Sequence, residues 1–343
     1  MNGRERVLAM INHLPVDRVP LMPITMMFAS DQIGVPYGEC AGDYKLLAEA
    51  QLRTAETFDF DHVSCIGDSA REAADLGGAV RYFDDQPAAL DESQAILTDK
   101  ADLAKLKIPD PLGGGRMHEC VKTAALLKEK VAGERIVEGW VEGPCGMASI
   151  LRGINALMVD FHDDPAFVHD LLDFVVEMEL CYARAQMEAG AELMGVGDPA
   201  ASLVGPTLFA EFIFPSQKKL VDGLKAMGLH TRSHICGNTK RIMQSRGELG
   251  YDIVDVDAMV PLEFARQQMP EQIILGGIAT VTVLQYGSPN EVLATVAKCH
   301  QAAGERYIIA GGCEVPRETP PANLIALRDY ARSHQPGDYH KDR

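Results

Sequence analysis

Short apolar runs alternate with longer amphipathic segments along this chain, and this alternation predicts its fold. Each apolar run is bounded by glycine, proline or aspartate, as expected of parallel strands buried on both faces. The runs that fit this description are residues 19–24, 62–67, 136–143, 191–198, 230–236, 252–257, 273–278 and 307–312.

Two of the intervening segments have clear helical boundaries. In residues 164–190 the apolar positions recur at three- and four-residue spacing, and Gly190 ends the pattern. A second helix is expected from Ser288-Pro289 to Gly304. Strands that alternate with helices predict an α/β protein with a single (β/α)8 TIM barrel. A doubly wound open sheet is the alternative, because the strand count alone does not exclude it.

The whole chain, residues 1–343, is expected to form one domain. Extra material follows the second predicted strand, at roughly residues 70–135, and includes a strand-like run at 79–85 and a polar stretch at 99–118. We interpret this range as an insertion in the barrel.

Composition and charge narrow the functional classes. Hydrophobic residues make up 47% of the chain, and the formal net charge is −17 without any Lys/Arg-rich run. This balance argues against a nucleic acid or an anionic membrane surface as partner. The N-terminus lacks the apolar segment of a signal peptide, and no apolar run reaches the roughly 18–20 residues that span a bilayer. We therefore expect a cytoplasmic protein. A homo-oligomer is compatible with the sequence.

The thiols at two strand ends suggest a metal site. Cys236 and Cys313 fall at the carboxyl ends of the fifth and eighth predicted strands, and His234 precedes Cys236 by two residues. Residues two apart on a strand point to the same side, and the carboxyl ends of barrel strands form the active-site face. Two thiolates and an imidazole with an open fourth position are typical of catalytic zinc.

A simpler interpretation exists for each residue taken singly. Cys236 and Cys313 could be small buried hydrophobic residues, and His234 a hydrogen-bonded barrel histidine. His-x-Cys alone is a weak signal. The coincidence of all three residues at strand ends, with glycines that give close access, favours the metal site.

Several stretches also carry a family resemblance. "HICGNT", "GGIATVTVLQYGSPNEV" and "GGCEVPRETPPANLIAL" resemble the uroporphyrinogen decarboxylase superfamily, and more closely its zinc-dependent corrinoid methyltransferase branch. "DRVPLMP", "GDSAREAADLGG" and "VEGPCGMASILRG" extend the likeness over most of the chain. The fold that this resemblance implies is again a (β/α)8 barrel.

The resemblance implies roles for individual residues. It places the zinc ligands at His234, Cys236 and Cys313, and an acidic fourth ligand at Asp257, with Asp255 as the neighbouring alternative for the alignment. Asp257 could instead be a strand-end carboxylate that faces water.

Asp68 is the other candidate catalytic residue. It matches a carboxylate that the decarboxylases use to hold pyrrole N–H groups. In the methyltransferase branch it could bond a substrate or orient a loop.

The function that the resemblance implies is methyl exchange with the cobalt of a corrinoid. A thiol would accept the methyl group, or reduced cobalt would take it from a small methylated donor. No corrinoid-binding domain is visible in the sequence, so the corrinoid is expected on a partner protein. Gly277 and Ile278, with Gly276 and Met259, are expected to let the flat macrocycle approach closely. The alternative is that the glycines only serve tight turns.

Three alternative functions make different demands on the sequence. A decarboxylase would need arginines after the first strand, but no Lys or Arg lies between Arg18 and Lys45. A zinc hydrolase would use Asp68 or Asp257 as its base. A corrinoid- or porphyrin-binding barrel without chemistry is the third alternative.

Overall fold

The computed structural model describes residues 1–91 and 94–340 of the chain. In this part the strands are β1 (His62–Ser64), β2 (Val80–Arg81), β3 (Ala89–Leu90), β4 (Ile136–Glu142), β5 (Leu193–Gly197), β6 (His230–His234), β7 (Ile253–Val256), β8 (Ile273–Gly276) and β9 (Tyr307–Ile308). All except β2 and β3 lie within the runs predicted from the sequence.

The main sheet is a closed parallel barrel. Its strands follow the order β1, β4, β5, β6, β7, β8, β9, and each neighbouring pair is parallel. The segment around Leu21 supplies the eighth position: Leu21 forms a parallel bridge with Ile309, and its carbonyl accepts from the Asp61 N–H at 3.0 Å. The predicted (β/α)8 barrel is therefore confirmed, and the open sheet is excluded.

Helices surround this sheet. They are α1 (Gly3–Ile11), α2 (Met27–Asp31), α3 (Tyr37–Gly42), α4 (Tyr44–Phe58), α5 (Arg71–Asp75), α6 (Arg116–Val131), α7 (Pro144–Arg152), α8 (Ile154–Asp163), α9 (Pro165–Glu188), α10 (Pro206–Leu208), α11 (Phe214–Ala226), α12 (Met243–Glu248), α13 (Leu262–Gln268), α14 (Pro289–Ala303) and α15 (Pro321–Ser333). None of the helices in the described ranges has the length and apolar character that a membrane crossing requires.

Local sequence explains where the two predicted helices begin and end. The Asp164 side chain accepts from the Phe167 N–H at the start of α9. Ser288 and Glu291 form a capping box at the start of α14, and Gly304 ends that helix with φ of 76°. Both predicted helices are confirmed.

The range predicted as an insertion contains two kinds of structure. The strands β2 and β3 form a small antiparallel hairpin after α5. In contrast, α6 buries Met117, Cys120 and Leu127 and packs against α4 and α9, so this helix belongs to the outer layer of the barrel. The bounds of the domain and of the insertion stay a prediction.

The barrel interior changes character along the strands. At the amino end, apolar side chains close the barrel against α1; these are Ile136, Leu193, Ile253, Ile273 and Ile308, with Val7 and Met10 from the helix. Two residues further along β4 and β6 the inward positions are Glu138 and Arg232, both buried. Another two residues bring Trp140 and His234 to the carboxyl end, where the candidate site lies.

Candidate metal centre

The structure brings the three predicted ligands together. His234 ends β6, Cys236 follows it, and Cys313 follows β9. His234 Nε2 lies 3.0 Å from Cys236 Sγ and 3.9 Å from Cys313 Sγ, and the two sulfurs are 3.3 Å apart. In the described residues this is the one group of His, Cys, Asp and Glu whose ligand atoms converge as a metal site requires.

These separations are close to those between the ligand atoms of a tetrahedral zinc site. With Zn–N and Zn–S bonds of ~2.0–2.3 Å, neighbouring ligand atoms lie roughly 3.3–3.8 Å apart. The sulfurs are too distant for a disulfide, whose S–S bond is about 2.05 Å, and all eight cysteines are free. Thiolate and imidazole donors suit zinc, and three of them leave one position for a substrate atom.

A buried carboxylate orients the imidazole. Asp255 lies on β7, and its Oδ2 is 2.7 Å from His234 Nδ1. Because Nδ1 is bonded to Asp255, the imidazole points Nε2 toward the two sulfurs. A carboxylate behind the ligating histidine is the usual arrangement in zinc sites. From the sequence, Asp255 is identified only as a neighbour of Asp257. The two residues are two positions apart, which for a strand places their side chains on the same face.

Hydrogen bonds within the centre give the two thiols very different pKa values. The contact between the thiols lowers the pKa of Cys313 to about 4 and raises that of Cys236. Burial disfavours a charged imidazole, but Asp255 and Cys313 together outweigh it and raise the pKa of His234 to about 9. Cys313 therefore carries a thiolate at neutral pH, and Cys236 retains its proton in this arrangement.

Asp257 lies beside the centre and accepts hydrogen bonds from the backbone. Its two oxygens accept from the Gly237 N–H at 3.0 Å and the Met259 N–H at 2.9 Å. It is not part of the converging group formed by His234, Cys236 and Cys313. Its role as a fourth ligand stays a prediction.

Asp68 is paired with an arginine that sequence reasoning missed. Arg116, at the start of α6, donates to both Asp68 oxygens at 2.7 and 2.6 Å, and the Ala70 N–H donates at 3.0 Å. Burial disfavours the ionised carboxyl, but Arg116 holds the pKa of Asp68 below its usual range. The residue is therefore a fixed anion and a weak base. Arg116 lies 48 residues away in sequence, so no local signal could connect them.

The role expected for Gly276, Gly277 and Ile278 in contacting a corrinoid stays a prediction, although Gly277 is half-buried and Ile278 lines the cavity at Cys313. Ile278 is fully buried. Gly276 and Gly277 have φ of 106° and 81°, and a Cβ on Gly277 would lie 2.5 Å from the Leu262 side chain. Backbone conformation and close packing account for both glycines. Of the four residues, Met259 is exposed, at 63%.

A cluster of apolar side chains borders the centre. The Trp140 ring lies 6.2 Å from the His234 ring, centroid to centroid, and Trp140 is 6% exposed. Ile24 and Ile66 pack with it, and Met26 covers the cluster. A cavity of about 340 Å³ reaches Cys313 between the loops that follow β7, β8 and β9.

Comparison with known proteins gives a consistent family signal. The pattern of the uroporphyrinogen decarboxylase (URO-D) family matches residues 2–334. Methylcobamide:CoM methyltransferase MtbA of Methanosarcina mazei is 30% identical over 339 residues, which cover 97% of this chain and 98% of that protein. Methylcobamide:CoM methyltransferase MtaA of Methanosarcina barkeri is 24% identical, with 95% of this chain and 97% of that protein covered. The resemblance seen in the sequence is confirmed.

A solved structure supports the same fold. A methyltransferase from Methanosarcina mazei matches with a TM-score of 0.88, covering 96% of this chain and 98% of that one at 22% identity. Its fold therefore extends over nearly the whole chain.

Proposed function

From the premise that this chain belongs to the uroporphyrinogen decarboxylase (URO-D) family, we propose that it moves a methyl group between a corrinoid on a partner protein and a small molecule held at zinc. It is a methyltransferase, as are the methylcobamide:CoM methyltransferases MtbA and MtaA that match nearly its whole length. The observation that carries the zinc proposal is the convergence of one imidazole nitrogen and two sulfurs within 3.0–3.9 Å.

The ligand set assigns a task to each residue. His234, Cys236 and Cys313 would hold the metal, and Asp255 fixes the imidazole so that Nε2 faces it. Bound zinc would lower the pKa of a thiol acceptor, or polarise a methylated oxygen or nitrogen. Loss of the Cys236 proton and of the Nε2 proton of His234 would accompany metal binding, because a thiolate and a neutral imidazole are the ligating forms.

The surroundings of the centre favour transfer over hydrolysis. Trp140 and the apolar residues around it exclude water from one side of the ligand set. Asp68, a base that a hydrolase could use, is held ionised by Arg116 and accepts a proton poorly. A small molecule at the open position would therefore meet a methyl donor or acceptor more readily than an activated water.

The corrinoid is proposed to stay on its own protein. The cavity at Cys313, about 340 Å³, has room for a small thiol or methylated compound and not for a whole corrinoid. The cobalt would approach from the open carboxyl end of the barrel. One substrate is thus carried by a macromolecular partner, and the other is small.

Decarboxylation of a porphyrinogen is not favoured by the charges present. Residues 19–44 contain no Lys or Arg, and Arg18 is buried in contact with Asp61. A substrate with eight carboxylates would therefore find no counter-charge from the first strand and the loop after it.

Zinc analysis of ligand variants tests the metal site. We expect about one zinc per chain in the wild type, and Cys236→Ala and Cys313→Ala should lose most of it, because two ligands cannot replace three. Cys181→Ala is the matched control, since this cysteine is exposed and remote from the centre in sequence. Full zinc content in both ligand variants would refute the site.

Activity measurements test the reaction. The zinc-loaded protein is incubated with cob(I)alamin and a panel of methylated donors, and with methylcobalamin and a panel of thiols. We expect a spectral change of the corrinoid in one direction, and none with Cys313→Ala. Formation of coproporphyrinogen from uroporphyrinogen at a rate typical of metabolic enzymes would instead identify a decarboxylase.

A further inference from the structure

A layer of charged side chains lies directly beneath the metal centre inside the barrel. His62 on β1, Glu138 on β4, Arg232 on β6 and Asp255 on β7 are each at most 3% exposed. Barrel interiors are usually filled by branched apolar side chains such as Val, Ile and Leu. In this protein the layer nearer the amino end follows that rule, whereas this one does not.

Arg232 is the centre of this layer. Its Nε and Nη2 donate to Asp255 at 2.9 Å each, and its Nη1 donates to Glu138 Oε1 at 3.1 Å. The guanidinium is therefore held on two sides by carboxylates from different strands. His62 Nε2 lies 3.7 Å from Glu138 on the far side.

The same Asp255 carboxylate contacts the metal-binding imidazole. Its Oδ2 receives Arg232 Nη2 at 2.9 Å and lies 2.7 Å from His234 Nδ1. Because the guanidinium fork is planar and rigid, it fixes the plane of the carboxylate as well as its position. Movement of Arg232 would therefore turn the carboxylate and, through it, the imidazole.

Stability alone does not account for this arrangement. Removing charges from water costs free energy that a buried pair only partly recovers, and apolar residues of similar size are often equally stable in their place. A charged layer in direct contact with a metal ligand has a function that apolar residues cannot supply, since they would leave Asp255 free to rotate.

We propose that Arg232, held by Glu138, is a positioning residue of the metal centre, which sets His234 for zinc through Asp255. The proposal rests on the zinc site of the proposed function and extends it to residues that touch neither metal nor substrate. Residues behind a ligating histidine typically contribute 10–100-fold to metal affinity.

The test measures zinc affinity of the whole protein by competition with a chromophoric chelator, together with the visible spectrum of the Co²⁺-substituted form. Arg232→Met removes the fork and retains bulk. We expect its zinc dissociation constant to rise about 10–100-fold, with altered Co²⁺ bands. Arg232→Lys keeps the charge and loses the planar guanidinium. Its zinc dissociation constant should therefore lie between those of the wild type and Arg232→Met.

The control separates positioning from general destabilisation. Arg6 also forms a buried pair, with Asp61 at the amino end of the barrel. Arg6→Met should reduce the free energy of unfolding and leave zinc affinity at the wild-type value. If Arg232→Met does not fold, the Arg232→Met/Glu138→Leu variant takes its place, because it replaces the pair by apolar side chains.

The outcomes distinguish the two proposals. Wild-type zinc affinity and Co²⁺ spectrum in the folded Arg232 variant would overturn the positioning role and leave the zinc site intact. Absence of specific zinc binding by the wild type would refute the metal centre itself, and the positioning role with it.

Discussion

Burial in the charged layer strongly changes the pKa of His62. Burial, reinforced by the positive charge of Arg232, lowers the pKa of His62 to about 3. An unfolded histidine has a pKa of ~6.5. The imidazole is therefore neutral in the folded protein over a pH range in which the unfolded chain binds a proton. Glu138, at 3.7 Å, does not offset the burial.

This difference predicts a pH-dependent stability. His62 does not lower the free energy of unfolding above pH 6.5. As the pH falls from 6.5 toward 3, the free energy of unfolding decreases, because the unfolded chain binds a proton that the folded protein does not. By pH 4.5 the loss from His62 amounts to about 2–3 kcal/mol in the free energy of unfolding. Urea unfolding at pH 7.0 and 4.5 measures it, and His62→Gln should reduce the drop by that amount.

A surface histidine provides the control for this measurement. His162 is exposed on α8, so His162→Gln should leave the drop between the two pH values nearly as in the wild type. An equal drop in His62→Gln and in the wild type would show that His62 does not titrate as expected.

At the scale of elements, the strand β5 is shaped around one aromatic ring. Gly195 and Gly197 lie beside Trp140 of the neighbouring strand β4. A Cβ on Gly195 would lie 2.2 Å from the ring, and one on Gly197 would lie 3.0 Å from it. The missing side chains let the ring lie against the strand, next to His234.

Gly195→Ala should therefore displace Trp140 or the strand. Overpacking of this kind costs typically 1–3 kcal/mol. The chain contains one tryptophan, so its intrinsic fluorescence reports on this ring alone. We expect a shifted emission maximum and a lower Tm. Gly42→Ala, where a Cβ would meet no atom within 4 Å, should change neither. Unchanged emission and Tm in Gly195→Ala would contradict the packing.

At the scale of the whole molecule, exposed apolar side chains surround the carboxyl end of the barrel. Leu203, Met259 and Val281, which follow β5, β7 and β8, are 67%, 63% and 50% exposed. They lie in the loops on the end of the barrel that carries the candidate metal centre. Such a rim suits the approach of a partner protein better than an entirely charged one.

Charge placed on this rim should slow transfer from a protein-bound corrinoid. We expect Met259→Glu and Val281→Glu to lower that rate at least about 10-fold, as interface anchors do, and to leave the rate with free methylcobalamin near the wild-type value. Leu14→Glu, which changes a 60% exposed residue at the opposite end of the barrel, is the control. Equal rates for all variants with the protein-bound corrinoid would exclude the rim as the docking surface.

The sequence by itself predicted the strands and helices of a barrel and three candidate ligands that converge, whereas the closure of the barrel came from the structure. Strand and helix periods are local properties, and β7, α9 and α14 could be recognised from them. The convergence of His234, Cys236 and Cys313 followed from one further rule, because the carboxyl ends of parallel barrel strands meet at one face whatever their distance in the chain.

Only the tertiary structure decided which side chains face one another within that frame. The contacts of Asp255 with His234, of Arg232 with Glu138 and of Asp68 with Arg116 join residues on separate elements. The burial of Ile278 could not be predicted from the sequence for the same reason. A residue at a strand end is exposed or covered according to the loops that pack over it. Local patterns fix the direction of a side chain along its own element, whereas its partner depends on the register and tilt of neighbouring strands, which arise from packing of the whole barrel.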